Sequence, residues 1–120
     1  MKHGKGKWKK KANEYVENGE TVKKYNMYDG YYEFDKKHGY GEFHWESGNN
    51  YKGNYHQDER QGYGIMEWCD GSRYTGHWEN GVQHGIGIMS FQDGSKRAGF
   101  FEYNLFAIPL KEIEQLRFID

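Results

Sequence analysis

The chain has 120 residues, with eleven Tyr and 17 Gly against one Pro and one Cys, and a net charge of −1 that offers nucleic acid or lipid no global attraction. A mean hydropathy of −1.18 without a long apolar run excludes a membrane-spanning helix. The N-terminal stretch has no apolar h-region and Cys69 stands alone, so a cytoplasmic setting without an intramolecular disulfide is expected.

The first predicted element is basic. Residues 1–24 hold eight Lys against three Glu, a local +5, while the other 96 residues carry nine basic and fifteen acidic groups, or −6. Lys7, Lys9, Lys10 and Lys11 are the candidate contacts to an anionic surface; a solvated tail or an acidic-protein contact is the competing reading. The stretch "HGKGKW" (His3 to Trp8) alternates as a strand does. Asn18-Gly19, between Tyr15, Val16 and Thr21, Val22, is a hairpin signal.

From Tyr28 onward a period of 23 residues governs the chain. It fixes Gly30, Gly53, Gly76 and Gly99; Gly39, Gly62 and Gly85; Gly41, Gly64 and Gly87; Gly48, Gly71 and Gly94. Aromatic positions keep step: Tyr28, Tyr51 and Tyr74; Tyr32, Tyr55, Trp78 and Phe101; Trp45, Trp68 and Phe91. Such registry predicts a repeat array over 28–101, with units starting at 28, 51 and 74 and a partial unit at 97. Within a unit the pattern has period two, which gives two strands, here Tyr74 to Trp78 and Gly85 to Phe91. "ENGVQH" turns between them and "QDGSK" turns into the next unit. The fold class is therefore all-β, an elongated single antiparallel sheet of consecutive hairpins. Alternation puts the rings and all in-strand glycines on one face, each ring covering the slot that a missing side chain leaves. On this spacing His3 to Trp8 matches the second strand of a unit, and residues 1–27 form a degenerate half-repeat and hairpin.

Past Phe101 the glycines stop. In the tail, residues 102–120, the stretch "NLFAIPLKEIEQLRFID" changes to a helical period, with Pro109 suited to a first turn and Leu110, Ile113 and Leu116 three apart. This helix either caps the last hairpin or docks on a partner.

Chemistry finds little support. "GYGEFH", "GYGIME" and "GIGIMS" lack the third glycine and the following helix of a phosphate loop. His38 and His84 occupy equivalent places with Gln61 between them, too far apart for a shared metal, and one Cys makes no thiolate cluster. Asp70, Asp93, Ser72 and Ser95 belong to turns. The expectation is no enzyme, cofactor, metal, nucleic acid or small-molecule substrate.

What remains is binding. One candidate is the aromatic face, with Tyr28, Tyr32, Trp45, Tyr51, Tyr55, Trp68, Tyr74, Trp78 and Phe91 as anchors. The other is the opposite face and tail: Asp29, Tyr31, Glu33, Tyr40, Glu42 and His44 give way to Ile86, Ile88 and Phe100, an apolar strip that Leu110, Ile113 and Leu116 of the helix, or a second chain, would cover.

The pattern Tyr-x-Gly-x-(Tyr/Trp), (His/Gln)-Gly-x-Gly, (Trp/Phe)-x-(Asp/Ser)-Gly resembles the MORN repeat, the membrane occupation and recognition nexus motif, over residues 28–101. It departs from that pattern at Arg97, where Tyr would open the fourth unit, at Ala98, and after Phe101 where the unit breaks off. The resemblance implies a twisted trough of hairpins and a non-enzymatic scaffold part, of the kind found in ciliary and flagellar assemblies such as radial-spoke heads, in cytoskeletal and membrane-junction proteins, and appended to lipid kinases. The expected function is a structural subunit binding other proteins in a cytoskeletal assembly, with the axoneme implied by resemblance alone. The alternative is a peripheral module that binds anionic phospholipid through the basic N-terminus.

Overall fold

The computed structural model describes residues 2–116, with side chains through Ile113. Over that span the chain forms β1 (Gly4–Glu17), β2 (Glu20–Glu33), β3 (Lys36–His44), β4 (Asn50–His56), β5 (Glu59–Glu67), β6 (Arg73–Glu79), β7 (Val82–Ser90), β8 (Lys96–Glu102), β9 (Leu105–Pro109) and α1 (Leu110–Leu116). The strands follow one another across one sheet in chain order. Every neighbouring pair is antiparallel, as the predicted meander requires. The molecule measures 63 × 39 × 17 Å and its radius of gyration is 17.5 Å. A compact chain of this length would have about 14 Å.

Two kinds of turn alternate. Within a unit the strands join through two residues that both have positive φ: Asn80 (50°) and Gly81 (84°), Phe34 and Asp35, Gln57 and Asp58. That is the twist-matched hairpin connection. The sequence placed a longer turn over "ENGVQH"; instead β7 already begins at Val82. The extra residues are absorbed by a bulge, where the register shifts between Gly76 and Trp78 and Gly85 takes φ 105°. Between units the turn is wider: Trp45 N–H donates to Asn49 C=O at 2.9 Å and Gly48 N–H to Trp45 C=O at 3.0 Å. The same pair recurs at Trp68/Ser72 and Phe91/Ser95.

Cross-strand registry lines Gly6, Gly30, Gly41, Gly53, Gly64, Gly76, Gly87 and Gly99 into one row across eight strands. Tyr51 lies flat along this row. A Cβ on Gly53 would meet its Oη at 2.7 Å, and one on Gly64 would overlap its Cε1 at 2.6 Å. Tyr28 and Tyr74 cover Gly41 and Gly87 in the same way. Each hydroxyl donates to the carbonyl three residues on, at Tyr31, Asn54 and His77, all at 2.9 Å. Buried phenols thus keep a partner. The bulge glycines depart from the predicted face, because a Cβ on Gly39, Gly62 or Gly85 would approach Tyr31, Asn54 or His77 on the other side. Bulging rotates the peptide and breaks the alternation.

The rings build the core of this one-layer sheet. Tyr32, Tyr28, Tyr55, Tyr51, Trp78, Tyr74 and Phe101 form a chain of edge-to-face contacts with centroids 5.0–5.6 Å apart, near the preferred aromatic geometry. Phe106 ends it, 5.3 Å from Phe101.

Both ends differ from the expected outline. β1 and β2 pair over their whole length, Gly4 with Tyr32 through Glu17 with Glu20, turning at Asn18-Gly19. Because β3 pairs with β2 only as far as Met27, the distal half of this hairpin is a free two-stranded ribbon. At the other end the fourth unit does not break off after Phe101. Tyr103 and Asn104 turn with φ 48° and 68°, and Leu105–Pro109 returns as β9. Pro109 closes that strand, opposite Gly99, and among the described residues the helix covers Leu110–Leu116.

Candidate functional site

The aromatic face holds less free surface than its sequence promises. Tyr51 and Tyr74 are 0% exposed, and Tyr28, Tyr32, Tyr55 and Trp78 are also buried. These six of the nine expected anchors belong to the core, because Tyr28, Tyr51 and Tyr74 lie on the glycine row and Tyr32, Tyr55 and Trp78 pack edge-on against them. Trp45 and Trp68 stay half-buried and Phe91 is exposed, all three on the rim where one unit turns into the next. Burial pushes the hydroxyls of Tyr28, Tyr51 and Tyr55 far above their ordinary range, and that of Tyr74 up to about 12.

Cations roof the rings. Lys37 Nζ stands 5.7 Å from the centroids of Tyr28 and Phe43 and 5.8 Å from that of Tyr55. Arg60, one period later, stands 4.9 Å from Trp78 and donates from Nη2 to the Gly81 carbonyl at 2.7 Å. Gln83 is the third member of this column, with only 4% of its surface exposed. The column was missed in the sequence, although the spacing of 23 between Lys37, Arg60 and Gln83 marks it. It also ties units together: Asp58 N–H donates to Lys37 C=O, Gly81 N–H to Arg60 C=O, and Asn104 N–H to Gln83 C=O, at 2.9–3.0 Å. Asp58 Oδ1 accepts from Lys37 N–H at 2.8 Å and from its ammonium at 3.3 Å. Burial works against the charge of Asp58, but these Lys37 contacts outweigh it and hold the carboxyl below the usual range.

The opposite face changes character along the sheet. Two side-chain rows cross it. One reads Lys7, Asp29, Glu42, Lys52, Ile65, Thr75, Ile88, Ala98, and the other ends in Ile86, Phe100 and Ile108. Tyr63, Ile86 and Ile88 are 52%, 48% and 44% exposed. The C-terminal helix was expected as one possible cover for this strip, but the chain leaves β9 on the ring side. There a Cβ on Gly99 would meet Leu110 N and Pro109 Cα at 2.9 Å. The backbone where β9 passes into the helix therefore lies beside Gly99, where no tyrosine ring stands. Leu110 is exposed and Ile113 half-buried; the side chain of Leu116 lies outside the described residues.

Polar groups singled out in the sequence serve the scaffold. Asp70 Oδ1 accepts from Ser72 Oγ at 2.6 Å and from Ser72 N–H at 2.8 Å, and Asp93 repeats this with Ser95. The serine hydroxyl, then its N–H, hold both carboxyls below their usual range. His38 faces Glu33 at 3.2 Å and His84 faces Glu79 at 3.6 Å, two units apart. Among the described residues no group of three His, Cys, Asp or Glu gathers as for a metal ion. Of the basic candidates, Lys7 reaches Asp29 at 3.9 Å, Lys9 lies 3.9 Å above the Tyr25 ring and Lys11 contacts Glu14 at 3.2 Å. Lys10 is exposed with them.

Comparison with protein families agrees with this architecture. The MORN repeat model matches three consecutive times, over residues 28–50, 51–73 and 74–96, which are the units counted from Tyr28. No curated protein matches the chain.

Proposed function

Since this chain belongs to the MORN-repeat family, an interaction module that is generally non-enzymatic, we propose that it is a structural subunit binding other proteins through its sheet. A cytoskeletal assembly in the cytoplasm is its setting, and the ciliary axoneme is the instance that the family suggests. One observation carries this reading: the uncovered strip of Tyr63, Ile86 and Ile88 beside half-buried Ile65 and Phe100. An apolar patch exposed among the described residues is suited to a protein partner. Half-buried Trp45 and Trp68 and exposed Phe91 add ring contacts on the other face. The test is affinity capture of the tagged chain, with bound proteins identified by mass spectrometry, set against Ile86→Lys/Ile88→Lys. A stoichiometric partner held by the parent and weakened about tenfold or more in the variant supports the reading, since each Ile would bury about half of its side chain. Equal binding by both chains would remove this face from the interface.

The ribbon favours a second reading. Lys10, Lys11, Lys23 and Lys24 lie on it with Lys9 at its base, and Val16 near its tip is 72% exposed. Basic residues beside an apolar tip suit an anionic membrane, at about 1 kcal/mol for each basic residue near the surface. Flotation with phosphoinositide vesicles, lost on Lys9→Glu/Lys10→Glu/Lys11→Glu, is the result this reading predicts.

A further inference from the structure

Strand β2 has an open edge that the chain itself creates. Its last pair with β3 is Met27 with His44, after which β3 ends and the chain turns away at Trp45. Among the described residues no strand pairs with the inner edge of β2 between Glu20 and Asn26, while β1 covers the outer edge throughout. The turn fixes which backbone groups that edge offers. Asn18 and Gly19 have φ 52° and 79°, the two-residue hairpin connection, so Glu17 and Glu20 are the hydrogen-bonded pair that closes it. Thr21, Lys23 and Tyr25 therefore turn their N–H and C=O away from β1, toward the open side. Such a row is a template for another strand.

Side chains decide which strand fits. Alternation from Tyr28 puts Lys24, Val22 and Glu20 on the ring side of the ribbon, directly across from Asn13, Tyr15 and Glu17. Glu20 thus faces a like charge, and neither Glu20 nor Lys24 has an ion-pair partner among the described residues. Both are exposed, and between them Val22 is half-buried beside Tyr15, 37% exposed. A second β2, antiparallel and centred on Val22, answers every row. Lys24 of each copy stands beside Glu20 of the other, the two Val22 side chains meet, and Thr21 exchanges hydrogen bonds with Lys23. Other two-fold registers fit worse. Centring on Lys23 or Lys24 sets a lysine against its own copy, and centring on Thr21 sets Val22 against Glu20. We propose that the inner edge of β2 pairs with that of a second copy of this chain, antiparallel about Val22, so that two ribbons become one continuous sheet. Each ribbon gains the third strand it lacks, and the two arrays run in opposite directions from the joint. This self-association goes beyond the binding of other proteins and uses a surface separate from Ile86 and Ile88.

The test follows the full chain by sedimentation equilibrium from micromolar to millimolar concentration. A concentration-dependent dimer is expected, and amide exchange at Thr21, Lys23 and Tyr25, fast in the dilute chain, should slow as it forms. Lys24→Glu and Glu20→Lys, each with unchanged circular dichroism, should each weaken self-association about tenfold. Mixing these two variants should restore the dimer, because only the mixed pair sets a carboxylate against an ammonium at both contacts. Val22→Cys/Cys69→Ser should form an intermolecular disulfide on mild oxidation faster than Lys23→Cys/Cys69→Ser, since a facing pair without hydrogen bonds brings its Cα atoms to about 4.5 Å. Ile86→Lys/Ile88→Lys should leave the dimer intact, so failure at this edge and failure of the apolar strip are separately visible. The proposal is overturned by a chain that stays monomeric throughout, by a dimer indifferent to the charge variants or not restored on mixing, or by a dimer lost with Ile86→Lys/Ile88→Lys.

Discussion

A tyrosine and two glycines make the working unit at the scale of single residues. Tyr51 covers its own-strand Gly53 and the facing Gly64, and its hydroxyl reaches the Asn54 carbonyl at 2.9 Å. Gly64→Ala puts a methyl into the ring, with Cζ 2.5 Å away, so a loss of about 3 kcal/mol in urea denaturation is expected, the upper part of the overpacking range. Tyr51→Phe keeps the ring and removes the donor, which should lower stability by about 1 kcal/mol. The same phenols set an alkaline limit. Their folded pKa values are raised above about 10, the value of an unfolded tyrosine. Above pH 10 the unfolded chain therefore gives up protons that the folded chain keeps. Stability is fully present below pH 10 and falls as the pH rises through the folded value of Tyr74, about 12. Denaturation midpoints compared at pH 8 and pH 11 check this, with tyrosinate absorbance appearing together with unfolding.

Among the elements, the hairpins were the most legible part of the sequence, because Gly and aromatic residues recur every 23 positions and Asn18-Gly19 and Asn80-Gly81 carry the residues that a tight turn needs. Phe34-Asp35, Gln57-Asp58 and Tyr103-Asn104 make the same turn without glycine. Sheet registry imposes their φ, so local propensity did not announce them. Strand β9 was read as helix because it lacks the Gly-x-Gly pair; pairing with β8 decides its conformation. The candidate site was legible only in part. Alternation assigns a residue to a face but says nothing of depth, and the rings lie buried beneath Lys37 and Arg60. The β1–β2 ribbon beyond Lys10 and Asn26 has no third strand, and a lone two-stranded hairpin is marginal in water. Amides of residues 13–24 should exchange many times faster than those of 51–55 or 63–67, as hydrogen exchange followed by mass spectrometry would reveal.

Taken whole, the molecule is a sheet 17 Å thin in which, among the described residues, each strand pairs with its sequence neighbours along the meander. Stability in such an array is passed from unit to unit. Its two faces and its β1 edge differ in character: cation-roofed rings on one face, a gradient from charged to apolar on the other, and lysines along the edge. Each of these surfaces depends on the rings lying against the glycine row, which keeps a single layer stiff enough to present them. Nuclear Overhauser contacts from the rings of Tyr28, Tyr51 and Tyr74 to the α-protons of Gly41, Gly64 and Gly87 test this most directly. The account predicts all three, together with upfield ring-current shifts of those glycine protons. Glycine α-protons at ordinary extended-strand positions, without contact to any tyrosine ring, would contradict it.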